Sequence, residues 1–346
     1  MCDHLRGRDG PRGALHGVVS RLSEIALSVL DLSPIPSGAD AGTALRGTVE
    51  LARHAENLGY RRFWVAEHHN MPGIASSVLM SHVATATRTI RVGSGGIMLP
   101  NHAPLSVAEQ FGTLEAFHPG RIDLGIGRAP GTDQRTALAL RGSRQALGAD
   151  DFPRQLSELL RFFTDEGPVR AVPGAGYRPP VWLLGSSGFS ARLAGSLGLP
   201  FAFAHHFSAR NTLPAVELYR ESFQPSEVLA EPYVMLGTAV VCAETDERAR
   251  WLAGPSGLQF VQLRRGNPIP LPTPEEAAEH PYSDVDRHLL EERLGTTIHG
   301  SPSTVRKGLE TLVEDTGAEE LMITTMVHGE ADRRRSYELV AGLVRD

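Results

Sequence analysis

The chain has 346 residues, 41% hydrophobic and 21% charged, with 34 basic against 40 acidic side chains and a net charge of −6. That balance, with no basic block longer than Arg333–Arg335, argues against a nucleic-acid partner, and it gives no reason to expect attraction to anionic membranes. Two cysteines, Cys2 and Cys242, are too few for a disulfide framework and fit a reducing cytoplasm; no apolar run reaches the roughly 18 residues that span a bilayer.

Residues 1–21 are Gly- and Arg-rich without an apolar signal core, and read as a poorly ordered extension before a single domain, 22–346. From Glu24 onward the pattern is strand, then helix. Ile25–Leu30 is a first strand, and Thr43–Leu58 is a helix closed by Gly59. Phe63–Ala66 is a second strand of β-favouring residues, ending abruptly in Glu67-His68-His69-Asn70, with a helix near Ser76–Thr87. Ile90–Leu99 is a third strand, interrupted by Gly93-Ser94-Gly95-Gly96, and Pro104–Phe117 is its helix. Strand four, Ile122–Ile126, runs into Gly127-Arg128; an excursion to about Asp150 and a helix near Pro153–Phe163 follow.

Val181–Leu184 is strand five, with a helix from about Ser187 to Leu197. Strand six, Phe201–Ala204, ends in His205-His206 and is followed by a helix over Leu213–Phe223. Tyr233–Val241 is strand seven, followed by a helix at Asp246–Ala253 and a long Pro-rich polar stretch from Gly254 to about Gly295. A helix at Ser303–Asp315, strand eight at Glu320–Thr325 and a helix at Arg333–Val344 complete the pattern. Eight buried-type strands, each followed by helical pattern, count out an α/β fold of the (β/α)8 barrel type, with excursions after strands four and seven. An open doubly wound sheet is the competing architecture, but no G-x-G-x-x-G follows the first strand.

Ligands of such barrels lie at the carboxyl ends of the strands. Alternation along strand two puts Trp64, Ala66 and His68 on one face and Val65, Glu67 and His69 on the other. Neighbouring histidines on opposite faces cannot easily share an ion, so no metal site is expected; one would face the ligand and the other anchor the loop. Gly185-Ser186-Ser187-Gly188-Phe189-Ser190 is a small-residue turn feeding a helix, a phosphate cradle in which Arg128 is a plausible partner. No lysine of a nucleotide-hydrolysing loop follows it. Paired glycines within strand three suit a flat ring packed against the main chain. A capped helix and a surface arginine are the bland alternatives.

Several stretches resemble the bacterial luciferase-like flavin-dependent monooxygenases: FWVAEHH, VGSGGIMLPNHAPLSVAEQ, GRIDLGIGRAPG, LLGSSGFSARLAG and GSPSTVRKGLETLVEDTGAEELMITT, in that order. The resemblance, from about Ile25 onward, is closest to the single-chain oxidoreductases of that family. It implies a TIM barrel that uses reduced FMN, delivered by a separate flavin reductase, and dioxygen. A flavin carbon-4a hydroperoxide would then oxygenate an aldehyde, ketone or related organic substrate. By the same resemblance His68 is the acid/base beside the flavin, and Gly95-Gly96 carries a non-prolyl cis peptide against its ring. Arg128, Ser186, Ser187 and Ser190 match phosphate-binding positions. The stretch 254–295 matches a mobile lid, and a homodimer is implied. Gly127 stands where luciferase has a reactive cysteine, a departure from the family pattern that bears on whether the resemblance extends to luciferase's own substrate and light emission. A deazaflavin-dependent hydride-transfer enzyme and a non-catalytic flavin-binding accessory subunit are the alternatives on this fold.

Overall fold

Strands that are apolar on both faces need helices over one side and a filled interior on the other. The computed structural model describes residues 21–69, 76–128, 134–141, 151–164 and 167–345, and it meets that need with a closed parallel barrel. Its first half contains β1 (Ala26–Asp31), β2 (Arg62–Val65), β3 (Arg91–Ser94), a two-residue β4 (Ile97–Met98) and β5 (Ile122–Gly127). Around these lie α1 (Ala41–Asn57), α2 (Ser76–Ala86), α3 (Pro104–Phe117), α4 (Gln134–Arg141) and α5 (Phe152–Phe162). β6 (Val181–Gly185) and α6 (Gly188–Ser196) follow, then β7 (Phe201–Phe203), the single turn α7 (His205–Ser208) and α8 (Thr212–Ser222). After β8 (Val234–Cys242) come α9 (Asp246–Arg264), α10 (Pro274–Glu279), α11 (Asp284–Gly295) and β9 (Thr297–Gly300). The described elements end with α12 (Pro302–Thr316), β10 (Glu320–Thr324) and α13 (Glu330–Gly342).

β10 pairs in parallel with β1 on one side and β8 on the other, which closes an eight-stranded (β/α)8 ring. β9 stands outside it, on the last residues of β8. Between the strands and the helices lies the larger apolar core, which includes Val29, Phe63, Val65, Val92, Phe111 and Phe201. A smaller cluster of Leu30, Trp64, Ala66, Trp182, Met235 and Met322 fills the barrel itself. Beneath it Arg62 reaches Asp123 at 2.8 Å and Glu320 at 3.0 Å, while Trp64 Nε1 donates to Asp123 at 3.1 Å. Among the described residues no helix is long and apolar enough to cross a membrane.

Two expectations are corrected. The third strand is not continuous: the ladder stops at Ser94 and resumes at Ile97, because the backbone turns at the intervening glycines. The stretch after strand seven is not a Pro-rich loop. α9 runs through Pro255 to Arg264, and α10 and α11 follow, each opened by a capping box: Thr273 with Glu276, and Ser283 with Asp286. Residues 254–257 read as a helix breaker, but a Cβ at Gly257 would lie 2.2 Å from Leu290 Cδ1, so the missing side chain is what lets α11 pack on α9. Burial of Leu252, Ala253, Leu258 and Val261 outweighs the one backbone bond lost at the proline. Of the expected N-terminal extension (1–21), residues 1–20 lie outside the described residues, as do Asn70 and most of the excursion after strand four.

Candidate active site

The interior alternation of β2 persists beyond its last residue. Trp64 and Ala66 face into the barrel, Phe63 and Val65 face the helices, and His68 lines a cavity above the interior cluster. Glu67, on the opposite face, is 1% exposed. Its carboxylate accepts the Met98 N–H at 2.8 Å, lies 2.7 Å from His102 Nε2 and 3.5 Å from His69 Nε2. His69 also approaches Asn101 at 3.4 Å. So one histidine faces the cavity while the other joins Glu67 in holding the loop beyond β4. Burial pushes the His68 pKa below its ordinary value and outweighs the nearby Glu67 charge, which acts the other way; His69 adds to the lowering.

The next wall is backbone. The Gly95–Gly96 peptide is cis, and both residues line the cavity. Where the ladder between β3 and β5 lapses, the Ser94 hydroxyl substitutes for it: Oγ donates to the Gly125 carbonyl at 2.9 Å and accepts the Gly125 N–H at 3.0 Å. A Cβ at Gly96 would sit 2.7 Å from the Gly125 oxygen, and one at Gly125 only 2.0 Å from the Ser94 oxygen. The two strands approach so closely that only glycine fits, which leaves a smooth main-chain surface on the cavity side.

The third wall is the start of α6. Ser187 occupies its N-cap in extended conformation without spending its hydroxyl on the cap, so the free N–H groups of the first turn and the serine hydroxyls remain available. Ser190 is buried against Gly185, where a Cβ would come within 2.6 Å of its own. Arg128 lays its guanidinium over the Phe189 ring, 4.1 Å from the centroid, and not against a carboxylate among the described residues.

All seven residues singled out from the sequence, His68, Gly95, Gly96, Arg128, Ser186, Ser187 and Ser190, line one cavity of about 200 Å³. Its floor is apolar, formed by Leu30, Trp64, Met235 and Met322. The donor set at the α6 end is cationic or neutral and suits a phosphate; the glycine wall suits a flat ring. This chain's residues therefore fit a phosphate-bearing planar cofactor. Glu67, His69 and His205 do not line the cavity; His205 Nδ1 lies instead 2.8 Å from Thr212 Oγ1. His206 and Phe207 do line it, without having been assigned a role from sequence. The available signal was Gly237 inside an otherwise apolar strand, since a Cβ there would be 3.1 Å from the His206 ring.

The family model for luciferase-like monooxygenases matches residues 25–320. The chain belongs to the luciferase-like monooxygenase family. This luciferase-like monooxygenase, an oxidoreductase, is 47% identical to a protein of that name from Escherichia coli K12 over 322 residues, covering 91% of this chain and 96% of the relative. YvbT of Bacillus subtilis is 53% identical, again over 322 residues, with 91% and 95% covered. Among solved structures, apo-MsnO8 superposes with a TM-score of 0.85 at 37% identity, over 93% of this chain and 98% of that one. Two more distant structures share the fold. The oxygenating constituent of 3,6-diketocamphane monooxygenase in complex with FMN has a TM-score of 0.69 at 19% identity, with 92% and 97% covered. An F420-dependent secondary alcohol dehydrogenase has 0.67 at 15%, with 93% and 100% covered.

Proposed function

We propose that this family member takes reduced FMN from a separate flavin reductase and uses it with dioxygen to oxygenate an aldehyde, ketone or related small organic molecule. The observation that carries this reading is the convergence of a phosphate cradle, a glycine wall and the half-buried His68, from four strand ends, on a single cavity. Ser186, Ser187 and Ser190 with Arg128 hold the phosphate, and Gly95–Gly96 gives the ring a flat seat. When bound, reduced FMN supplies the electrons that activate dioxygen. The apolar floor excludes water from the reacting atoms. Burial disfavours the charged form of His68, which favours an imidazole nitrogen free to accept a proton and return it. A second copy of this chain is the expected stable partner; Val78 on α2 and Phe117 on the adjacent α3 are 60% and 77% exposed, apolar side chains that such a partner could cover.

Incubating the protein with reduced FMN, dioxygen and an aldehyde panel, while following the flavin spectrum and product mass, tests the reading directly. Product carrying one added oxygen is the expected result. Binding of reduced deazaflavin in preference to reduced FMN, with no oxygen consumed, would overturn it. His68→Ala should cut product per flavin oxidised by about 10²-fold or more, with FMN binding largely kept. An unchanged product-to-flavin ratio would remove His68 from the chemistry.

A further inference from the structure

His206 lines the same cavity and has no part in the chemistry above. It lies in the single turn α7, three residues past the end of β7, and is 4% exposed. Its Nδ1 lies 2.8 Å from the Gly237 carbonyl oxygen. A carbonyl can only accept, so Nδ1 carries the proton and Nε2 carries an unshared pair. Nε2 is buried, and no described residue donates to it. Buried acceptors are nearly always paired, and leaving one unmet is costly. The surroundings hold the ring in this state: Gly237 gives it room, Phe207 packs on it at 4.2 Å between centroids, and Arg293 of α11 donates to the His206 carbonyl at 3.0 Å. Burial keeps the imidazole neutral, its pKa pushed down to about 4, so the unshared pair persists at physiological pH.

Position decides which ligand this acceptor meets. β7 is three strands round the ring from the Gly95–Gly96 wall, counting β5, β6 and β7. A flat ring seated on the glycines would leave the β7 side of the cavity to a second molecule. We propose that His206 Nε2, closed off in this structure, accepts on ligand entry a hydrogen bond from a hydroxyl or amide N–H of the organic substrate, so that among the aldehydes and ketones proposed above the enzyme selects those that also bear such a donor. The proposal rests on reading the cavity as a shared cofactor and substrate pocket, and it narrows the substrate class.

The test uses 1-octanol and methyl octyl ether as probes, which differ in that donor, on the full chain with and without FMN. In 15N-histidine NMR of the wild-type protein, octanol should move the unprotonated nitrogen of His206 upfield and the ether should not. By calorimetry octanol should bind about tenfold more tightly than the ether. His206→Phe should bring the two within about twofold, while His206→Gln, whose amide can donate to Gly237 and accept from the ligand, should restore part of the preference. FMN affinity, titrated by absorbance, should be unchanged in both variants. Equal affinities in the wild type, an unmoved resonance, or a preference that survives His206→Phe would overturn the proposal. So would a fall in FMN affinity in His206→Phe, which would assign the acceptor to the flavin. The NMR arm decides even if that variant fails to fold. Failure of the wild type to bind FMN would defeat the cofactor reading while leaving the alcohol preference to be read on its own.

Discussion

Glu67 never meets the cavity, yet it fixes the cavity's shape. One buried carboxylate ties the Met98 N–H and His102, both just beyond the glycine turn, to the end of β2. Glu67→Ala would leave a buried N–H and an imidazole without their acceptor. A loss of about 2–3 kcal/mol is expected, with weaker FMN binding because Met98 lies two residues after Gly96. Denaturant midpoints and a flavin titration would check both, and an unshifted midpoint would show the tie to be dispensable. His206 makes a prediction of opposite character. Its ordinary value is 6.5 and burial lowers it to about 4 in the folded chain. Between those values the unfolded chain binds more protons, so stability falls as pH drops from 6.5 towards 4 and is fully present above that window. The loss could approach about 3 kcal/mol. In His206→Phe the slope of stability against pH should flatten over that window, as followed by urea unfolding.

At the scale of elements, α11 carries its own signal. Ser283 caps the helix, and Asp286, itself fully buried, closes the box back onto Ser283 N–H at 2.9 Å. Ser283→Ala should cost about 1 kcal/mol, seen as faster amide exchange in α11 with the barrel strands unaffected. Because Arg293 of the same helix holds the His206 carbonyl, the loosening should reach the β7 side of the cavity. Elements were legible where local chemistry agreed with the fold. α3 falls at its expected bounds because Pro104 suits a first turn and His118-Pro119-Gly120 ends it. The second half of α9 was not legible, because Gly254-Pro255-Ser256-Gly257 is a breaker in local terms and only Leu290, on another helix, makes Gly257 a packing contact. The capping boxes at Thr273 and Ser283 were the readable counter-signal. In the site, strand ends disclosed His68 and the serine turn. The Ser94–Gly125 interlock and the His206 tautomer depend on partners 31 residues away, and no local pattern encodes them.

Taken whole, the barrel is divided along its axis. One end is filled by ions and aromatic rings; the other opens above an apolar floor into the cavity. Arg62 joins Asp123 and Glu320 with its side chain 7% exposed, while Tyr233 donates to Glu320 at 2.9 Å and Ser28 also bonds to that carboxylate. Such a network fills the bottom of the barrel with side chains whose mutual bonds fix where Trp64, the floor of the cavity, must lie. Arg62→Ala would leave two buried carboxylates short of a cation and should cost about 3–5 kcal/mol. Guanidinium unfolding would measure the loss, and a change under about 1 kcal/mol would mean that the neighbouring hydroxyls and Arg91, which pairs with Asp123 at 2.6 Å, suffice.

The ring has no free border only because β10 zips onto β1 and β8 together. On the ribosome, therefore, the cylinder stays agape until residue 324 has emerged from the exit tunnel. Throughout that interval β1 and β8 each present a row of unmet amides and carbonyls to their surroundings, ready to pair with the wrong neighbour. Cooler growth, or a holdase engaged late in translation, should raise the yield of native protein far more than anything acting on its first half.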